Sequence, residues 1–225
     1  MRYKKIGILG GMGPEATAQL YIEIIQIFQR RYGAKYDSDF PEIMILNLPL
    51  PDVVEEKGSP AKIIELLQEG VKKLEQAGAD FIAIPCNTAI TFLPQMSEAV
   101  SIPFVNIVEE TATFVKKRGL TQVGIVATQM TLRSGIYSRA IGQILLEPSE
   151  EQKSLITKII MTILAGEKND EAKNNLQNII FDLRMRGAKA VILGCTELPL
   201  LFASEDTIDT IKVLAEAVVR EAIDI

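Results

Sequence analysis

The chain has 225 residues, 48% of them apolar, a formal net charge of −5 and no histidine. The missing imidazole excludes Ser-His-Asp and Cys-His nucleophile pairs, His-ligated zinc and haem, and histidine acid/base catalysis. The acidic balance argues against general affinity for nucleic acid or anionic membranes, and two cysteines, Cys86 and Cys195, are too few for a structural zinc site within one chain.

The N-terminus runs straight into a strand-like stretch at 6–9 that ends on glycines, with no signal-peptide core ahead of it. Pro14 then opens a helical pattern that lasts to about Tyr32. A second apolar run at 43–48 precedes a charged, solvated loop at 55–60. The next helix, 61–77, carries Ile63, Ile64, Leu67, Val71 and Leu74 at helical spacing and stops at Gly78. Strand-like runs follow at 81–85, 104–107, 123–127 and 190–193, and helical patterns at 109–117, 149–165, 174–186 and 207–222. The strands are continuously apolar rather than alternating, which suits parallel sheets covered on both faces. The expected class is α/β, with doubly wound, mainly parallel sheets. No apolar run approaches a membrane span. Two cysteines without a secretion signal read as free thiols in a reducing cytosol, so a cytoplasmic protein is expected.

The chain repeats itself weakly. Residues 5–10 (KIGILG) resemble 122–127 (QVGIVA), and 78–88 (GADFIAIPCNT) resemble 187–197 (GAKAVILGCTE). The two offsets are similar and fall in the same order. They predict two pseudo-symmetric α/β subdomains, 1–108 and 109–206, with an active site in the cleft between them.

Each half places one cysteine directly after an apolar parallel strand, where ligands bind in open α/β sheets. Asn87-Thr88 and Thr196-Glu197 follow and can cap helices, and a helix N-terminus lowers a thiol pKa. A lone free cysteine is commonly just a small core residue. The matched placement of both argues against that. Two thiols facing each other across a cleft suit stereoinversion at a carbon acid: one takes a proton from one face as thiolate, the other delivers one to the opposite face.

The loop Gly7-Ile8-Leu9-Gly10-Gly11-Met12-Gly13-Pro14, the motifs Pro85-Cys86-Asn87-Thr88-Ala89 and Gly194-Cys195-Thr196-Glu197, the run Val108-Glu109-Glu110-Thr111, and Ala127-Thr128 with Thr131 together resemble the aspartate/glutamate racemase family over nearly the whole chain. The resemblance implies racemisation of aspartate, or a related amino acid such as glutamate, without cofactor or metal, by an enzyme that is a homodimer. It implies that Cys86 takes the α-proton from the D-enantiomer and Cys195 from the L-enantiomer. It assigns Asn87, Thr88 and Thr196, with the backbone of Gly11 and Met12, to the α-carboxylate and amino group, with Thr128 and Thr131 nearby. It also implies that the last helix, within 207–225, packs back on the first half. Aspartate-specific relatives carry an Arg after a Pro-Asp pair, where this chain has Val53, and a Lys where it reads Ile163-Leu164-Ala165-Gly166. Arg133 is the candidate replacement cation.

Three other readings compete. Gly11-Met12-Gly13-Pro14-Glu15-Ala16 fits the dinucleotide fingerprint of an oxidoreductase, but the second strand ends in Asn47-Leu48-Pro49 rather than the expected acid. The same scaffold could serve an isomerase or racemase of another small carbon acid. It could also be a non-catalytic small-carboxylate binding protein, which would not need both thiols.

Overall fold

The computed structural model describes residues 3–51, 54, 58–142 and 144–223. Two four-stranded parallel sheets, flanked by helices, form the framework. The first contains β1 (Ile6–Gly10), β2 (Ile43–Asn47), β3 (Phe81–Ala83) and β4 (Phe104–Val105) in the order β2-β1-β3-β4. The second contains β5 (Gln122–Val126), β6 (Ile144–Leu146), β7 (Val191–Leu193) and β8 (Thr207–Asp209) in the order β6-β5-β7-β8. The orders are the same, so β3 and β7, the cysteine-bearing strands, hold equivalent inner positions.

The central strands follow their composition. β1, β3 and β7 are buried at every position. β2 differs from the expected covered strand: it lies at the sheet edge, and Ile45 is 45% exposed. Two edge strands were not foreseen. β6 is three residues long, and β8 takes the first three residues of the stretch read as the last helix.

Six helices lie close to the predicted ranges, α1 (Pro14–Tyr32), α2 (Pro60–Gln76), α4 (Ile107–Lys117), α7 (Glu150–Leu164), α8 (Asp170–Met185) and α10 (Thr210–Ile223), while the short α3 (Leu93–Ser97), α5 (Gln129–Ser134), α6 (Ile136–Ile141) and α9 (Leu198–Leu201) were not foreseen. Local chemistry sets their ends. Ser59 accepts the Lys62 amide at the start of α2, and Ser149 and Gln152 form a capping box on α7. Asn169 caps α8, which begins at Asp170 rather than 174.

α10 packs against α1 and α4, burying Ile211, Leu214, Ala215 and Val218. Ion pairs Lys4–Glu221 (2.7 Å) and Arg31–Glu216 (2.5 Å) flank this contact. One apolar core runs from β1 and β3 through Val123, Ile125 and Ile192 to α10, so it spans both sheets. A second core lies between β7, α7 and α8. Among the described residues, no helix is long and apolar enough to cross a membrane.

Candidate active site

β3 ends at Ala83, and Ile84 and Pro85 carry the chain to Cys86; β7 ends at Leu193, and Gly194 leads to Cys195. Both sulfurs are free thiols and both residues are buried. The two loops touch. The Thr196 hydroxyl donates to the Pro85 carbonyl at 3.1 Å, joining the residue after one cysteine to the residue before the other.

The thiols have different neighbours. The Ala89 amide donates to Cys86 Sγ at 3.4 Å. Cys195 Sγ instead donates to Glu197 Oε2 at 3.0 Å. The other carboxylate oxygen, Oε1, accepts the Gly13 amide at 2.9 Å. A Cβ on Gly13 would fall 2.9 Å from that oxygen, so any larger residue would force the carboxylate to shift. Gly11, at φ +96°, leaves no room for a Cβ against the Leu48 backbone.

Burial dominates the electrostatics. It pushes the Cys86 thiol up to about 12, the Glu197 charge adding to the effect and the Ala89 amide opposing it. Burial, then the charge of Glu197, push the Cys195 thiol well up. Glu197 is itself raised by burial, against the hydrogen bonds it accepts from Cys195 and Gly13. The expected lowering of the thiol pKa is therefore corrected. The loop amide acts in the predicted direction, but desolvation outweighs it. The capping expectation is corrected too. Neither Asn87 nor Glu197 makes a side-chain cap, because their side chains are engaged in tertiary contacts.

Thr88, Thr128 and Thr131 form a buried triangle of hydroxyls with edges of 2.9, 3.1 and 2.9 Å. Thr128 also caps α5 by accepting the Thr131 amide. The Asn87 side chain is held at both ends. Its Oδ1 accepts from the Tyr137 hydroxyl at 2.6 Å, and its Nδ2 donates to Thr210 Oγ1 at 3.3 Å. Thr210 in turn donates to the Leu193 carbonyl at 3.0 Å.

A cavity of about 200 Å³ opens beside this cluster, lined by Met12, Pro14, Leu50, Val54, Leu164 and Glu197 among others. Its described lining is apolar apart from the loop backbone and the Glu197 carboxylate. Leu164 occupies the wall, within the stretch where the family resemblance implies a lysine in aspartate-specific relatives. Beside Pro14, Glu15 pairs with Lys168 of the α7–α8 loop.

The expected site residues thus divide. Cys86, Asn87, Thr88, Thr128, Thr131, Cys195 and Thr196 share one buried polar cluster, and Gly11 and Met12 line the adjoining cavity. Arg133 lies apart from that lining, on the exposed side of α5, its guanidinium 3.4 Å from Gln129 Oε1. Asp52, Val53 and the charged residues 55–57 lie outside the described residues. Three neighbours were not foreseen. Glu197 was expected only as a helix cap, not as a partner of Cys195, while Tyr137 and Thr210 reach Asn87 only through tertiary packing.

The glycine loop is also unlike a pyrophosphate cradle. The Gly11 amide is taken by Thr17 Oγ1 at 3.0 Å and the Gly13 amide by Glu197, and Pro14 has none to offer.

Paired parallel sheets with a cysteine beyond the same strand of each define a racemase scaffold, and the chain belongs to the Asp/Glu/Hydantoin racemase family, which it matches over residues 9–218. Among its relatives is the broad specificity amino-acid racemase RacX of Bacillus subtilis (strain 168), 31% identical over 196 residues, covering 86% of this chain and 85% of that protein. The aspartate racemase of Picrophilus torridus superposes with a TM-score of 0.81 at 26% identity, covering 96% of this chain and 93% of the other. An aspartate racemase homologue from Pyrococcus horikoshii gives 0.78 at 28%, covering 96% and 98%.

Proposed function

We propose that the chain is a cofactor-independent amino-acid racemase that passes the α-proton between two thiols. One observation carries this reading: the Thr196–Pro85 hydrogen bond, which brings the two cysteine loops together in a single buried polar cluster. Cys86 takes the α-proton of the D-enantiomer and Cys195 that of the L-enantiomer. In each direction the other thiol protonates the opposite face.

The surroundings of the thiols supply the rest. Asn87, Thr88, Thr196 and the Thr128–Thr131 hydroxyls offer hydrogen bonds to the α-carboxylate and amino group. A thiol near 12 is almost wholly protonated at neutral pH, and ionising it there costs on the order of 7 kcal/mol. The substrate ammonium brings a positive charge into the same low-dielectric space and offsets much of that cost. The empty site is therefore a pair of thiols, and thiolate forms when substrate arrives.

The adjoining cavity takes the substrate side chain. Its described walls carry no cation, and Glu197 would repel a second carboxylate there. An uncharged side chain fits these walls better than that of aspartate or glutamate. The breadth named for the Bacillus subtilis relative agrees with this choice.

The test is a panel of both enantiomers of aspartate, glutamate and neutral amino acids in deuterium oxide, with EDTA and no added cofactor. Interconversion with α-deuterium in the product is expected, fastest for uncharged side chains. Cys86→Ala and Cys195→Ala should each abolish it. Wild-type rates in both variants would end the two-thiol reading.

A further inference from the structure

The two cysteine loops are joined twice. The direct tie is the hydrogen bond from the Thr196 hydroxyl to the Pro85 carbonyl. The second runs through a third segment of the chain. The Asn87 side chain donates to Thr210 Oγ1 at 3.3 Å, and that hydroxyl donates to the Leu193 carbonyl at 3.0 Å. Asn87 follows Cys86 directly, and Leu193 ends β7 two residues before Cys195. Thr210, the first residue of α10, thus links the neighbour of one thiol to the strand that carries the other.

Thr210 stands where the internal repeat departs from itself. In each half the chain turns from the strand beside the cysteine strand into a helix: β4 into α4, and β8 into α10. Both corners are closed by a side-chain cap. Asn106 Oδ1 accepts the Val108 amide, and Asp209 Oδ1 accepts the Ile211 amide, in each case two residues on. The residue after the cap is Ile107 in the first half and Thr210 in the second, and both are fully buried. Where one half fills its core with isoleucine, the other places a hydroxyl. A buried hydroxyl is costly unless it is paired, and this one is paired on both sides with the cysteine loops.

A single hydrogen bond between two loops is a pivot. It fixes one distance and leaves each loop free to turn about it. A second tie at a different place removes that freedom. Stereoinversion needs such a constraint, because two sulfurs must face opposite sides of one carbon at the same moment.

We propose that Thr210 is a positioning residue that sets the spacing of the two cysteine loops, so that the sulfur opposite the departing proton meets the carbanion before the first sulfur can return one. The proposal rests on the two-thiol reading. Thr210 acts through Asn87 and Leu193. Because α10 packs on α1 and α4, the same contact ties the seating of the last helix to the geometry of the site.

Deuterium oxide separates this role from a merely structural one. There both sulfurs carry deuterium. One thiolate takes the α-hydrogen as a proton, leaving the electron pair on carbon, and the opposite S–D bond breaks to place a deuteron on the other face. The product is labelled and the recovered substrate is not. If the second sulfur is out of place, the carbanion waits. The first sulfur then exchanges its proton for a solvent deuteron and returns it to the original face, which labels the recovered substrate. The ratio of labelled substrate to labelled product at early times therefore reports the positioning of the sulfurs. Loss of folded enzyme lowers both labels alike and leaves the ratio unchanged.

Thr210→Val keeps the shape of the side chain and removes the hydroxyl. With the best substrate of the panel, we expect racemisation to fall roughly 100-fold, the scale for displacing a reacting group by about 1 Å. We also expect the label ratio to rise several-fold. Thr210→Ser, which restores the hydroxyl, should bring both back toward wild type. If Thr210→Val does not fold, Thr210→Ala takes its place. Its smaller side chain leaves room for water to pair the stranded groups, and the same rise is expected because a mobile water fixes no spacing. A label ratio that stays at the wild-type value, or that Thr210→Ser leaves as high as Thr210→Val does, overturns the proposal even if the rate is lost. If Cys86→Ala and Cys195→Ala both keep wild-type rates, the underlying two-thiol reading has failed and this inference falls with it.

Discussion

Removing a single hydroxyl, in Tyr137→Phe, tests how Asn87 is held. Tyr137 and Asn87 are both almost fully buried, and their hydrogen bond measures 2.6 Å. Phenylalanine fills the same volume, so no cavity term enters. The loss is the hydrogen bond and the burial of an unpaired Asn87 Oδ1, together about 1–3 kcal/mol. For a chain of this length that is a fall in Tm of roughly 2–4 °C per kcal/mol, or about 4–8 °C for a 2 kcal/mol loss. The Asn87 amide then retains only its longer contact to Thr210, at 3.3 Å, and can rotate. KM should therefore rise several-fold with kcat less affected if, as proposed, Asn87 holds the substrate's fixed polar end rather than the migrating proton. Urea unfolding and steady-state racemisation measure the two effects. A double-mutant cycle with Asn87→Ala should give a coupling energy of about 0.5–3 kcal/mol, as for residues in direct contact. Additive losses in that cycle would refute the argument, because they would mean that Tyr137 does not act through Asn87.

Other perturbations follow from the same contacts. Gly13→Ala places a Cβ 2.9 Å from both Glu197 Oε1 and Leu164 Cδ2, so the carboxylate must withdraw. Overpacking of this kind costs about 1–3 kcal/mol, and racemisation should fall with the displaced carboxylate; wild-type kinetics would show that the Glu197–Gly13 contact is dispensable. Alkylation of Cys86 in the empty enzyme should be slow at pH 7 and climb about tenfold per pH unit with no plateau near 9, because burial pushes this thiol up to about 12 and only the thiolate reacts. The sign for stability follows: a raised pKa favours the fold fully below the unfolded value of about 9, and that advantage is lost as pH rises from 9 toward 12, by on the order of 4 kcal/mol. Cys86→Ala should flatten that decline in urea titrations. Leu164→Lys puts a cation on the cavity wall and should raise kcat/KM for aspartate relative to alanine at least tenfold; an unchanged ratio would show that the side chain lies elsewhere. Leu214→Ala, at the fully buried contact of α10, should cost about 2–5 kcal/mol in urea unfolding.

What could be read from the chain alone follows a physical line. Amphipathic helices announce themselves by period and covered strands by unbroken apolar runs, so α1, α2 and the inner strands are legible within a residue or two. β6 and β8 escaped because three-residue edge strands carry too little pattern, and Thr207–Asp209 merged with the helix that follows it. The cysteines were legible because two internal repeats placed them alike. Their electrostatics were not, because the sign of a pKa shift depends on how much solvent the fold removes, which local motifs do not record. Glu197 lay within a recognised motif, yet its contact with Gly13 spans most of the chain. Tyr137 had no local signal at all.

The repeat that made the cysteines visible also concealed the difference between them. Symmetry of fold places two thiols at equivalent strand ends, and stereoinversion would be served by two identical acid/base groups. Equivalence, however, leaves open which sulfur is ionised, and a buried site cannot settle this by ionising both. In the structure the difference lies in one carboxylate: Cys195 donates to Glu197, whereas Cys86 accepts the Ala89 amide. The same carboxylate lines the adjoining cavity, so on the proposed reading its charge disfavours an acidic substrate side chain, and a Glu197→Gln variant that left the aspartate-to-alanine ratio of kcat/KM unchanged would refute that role.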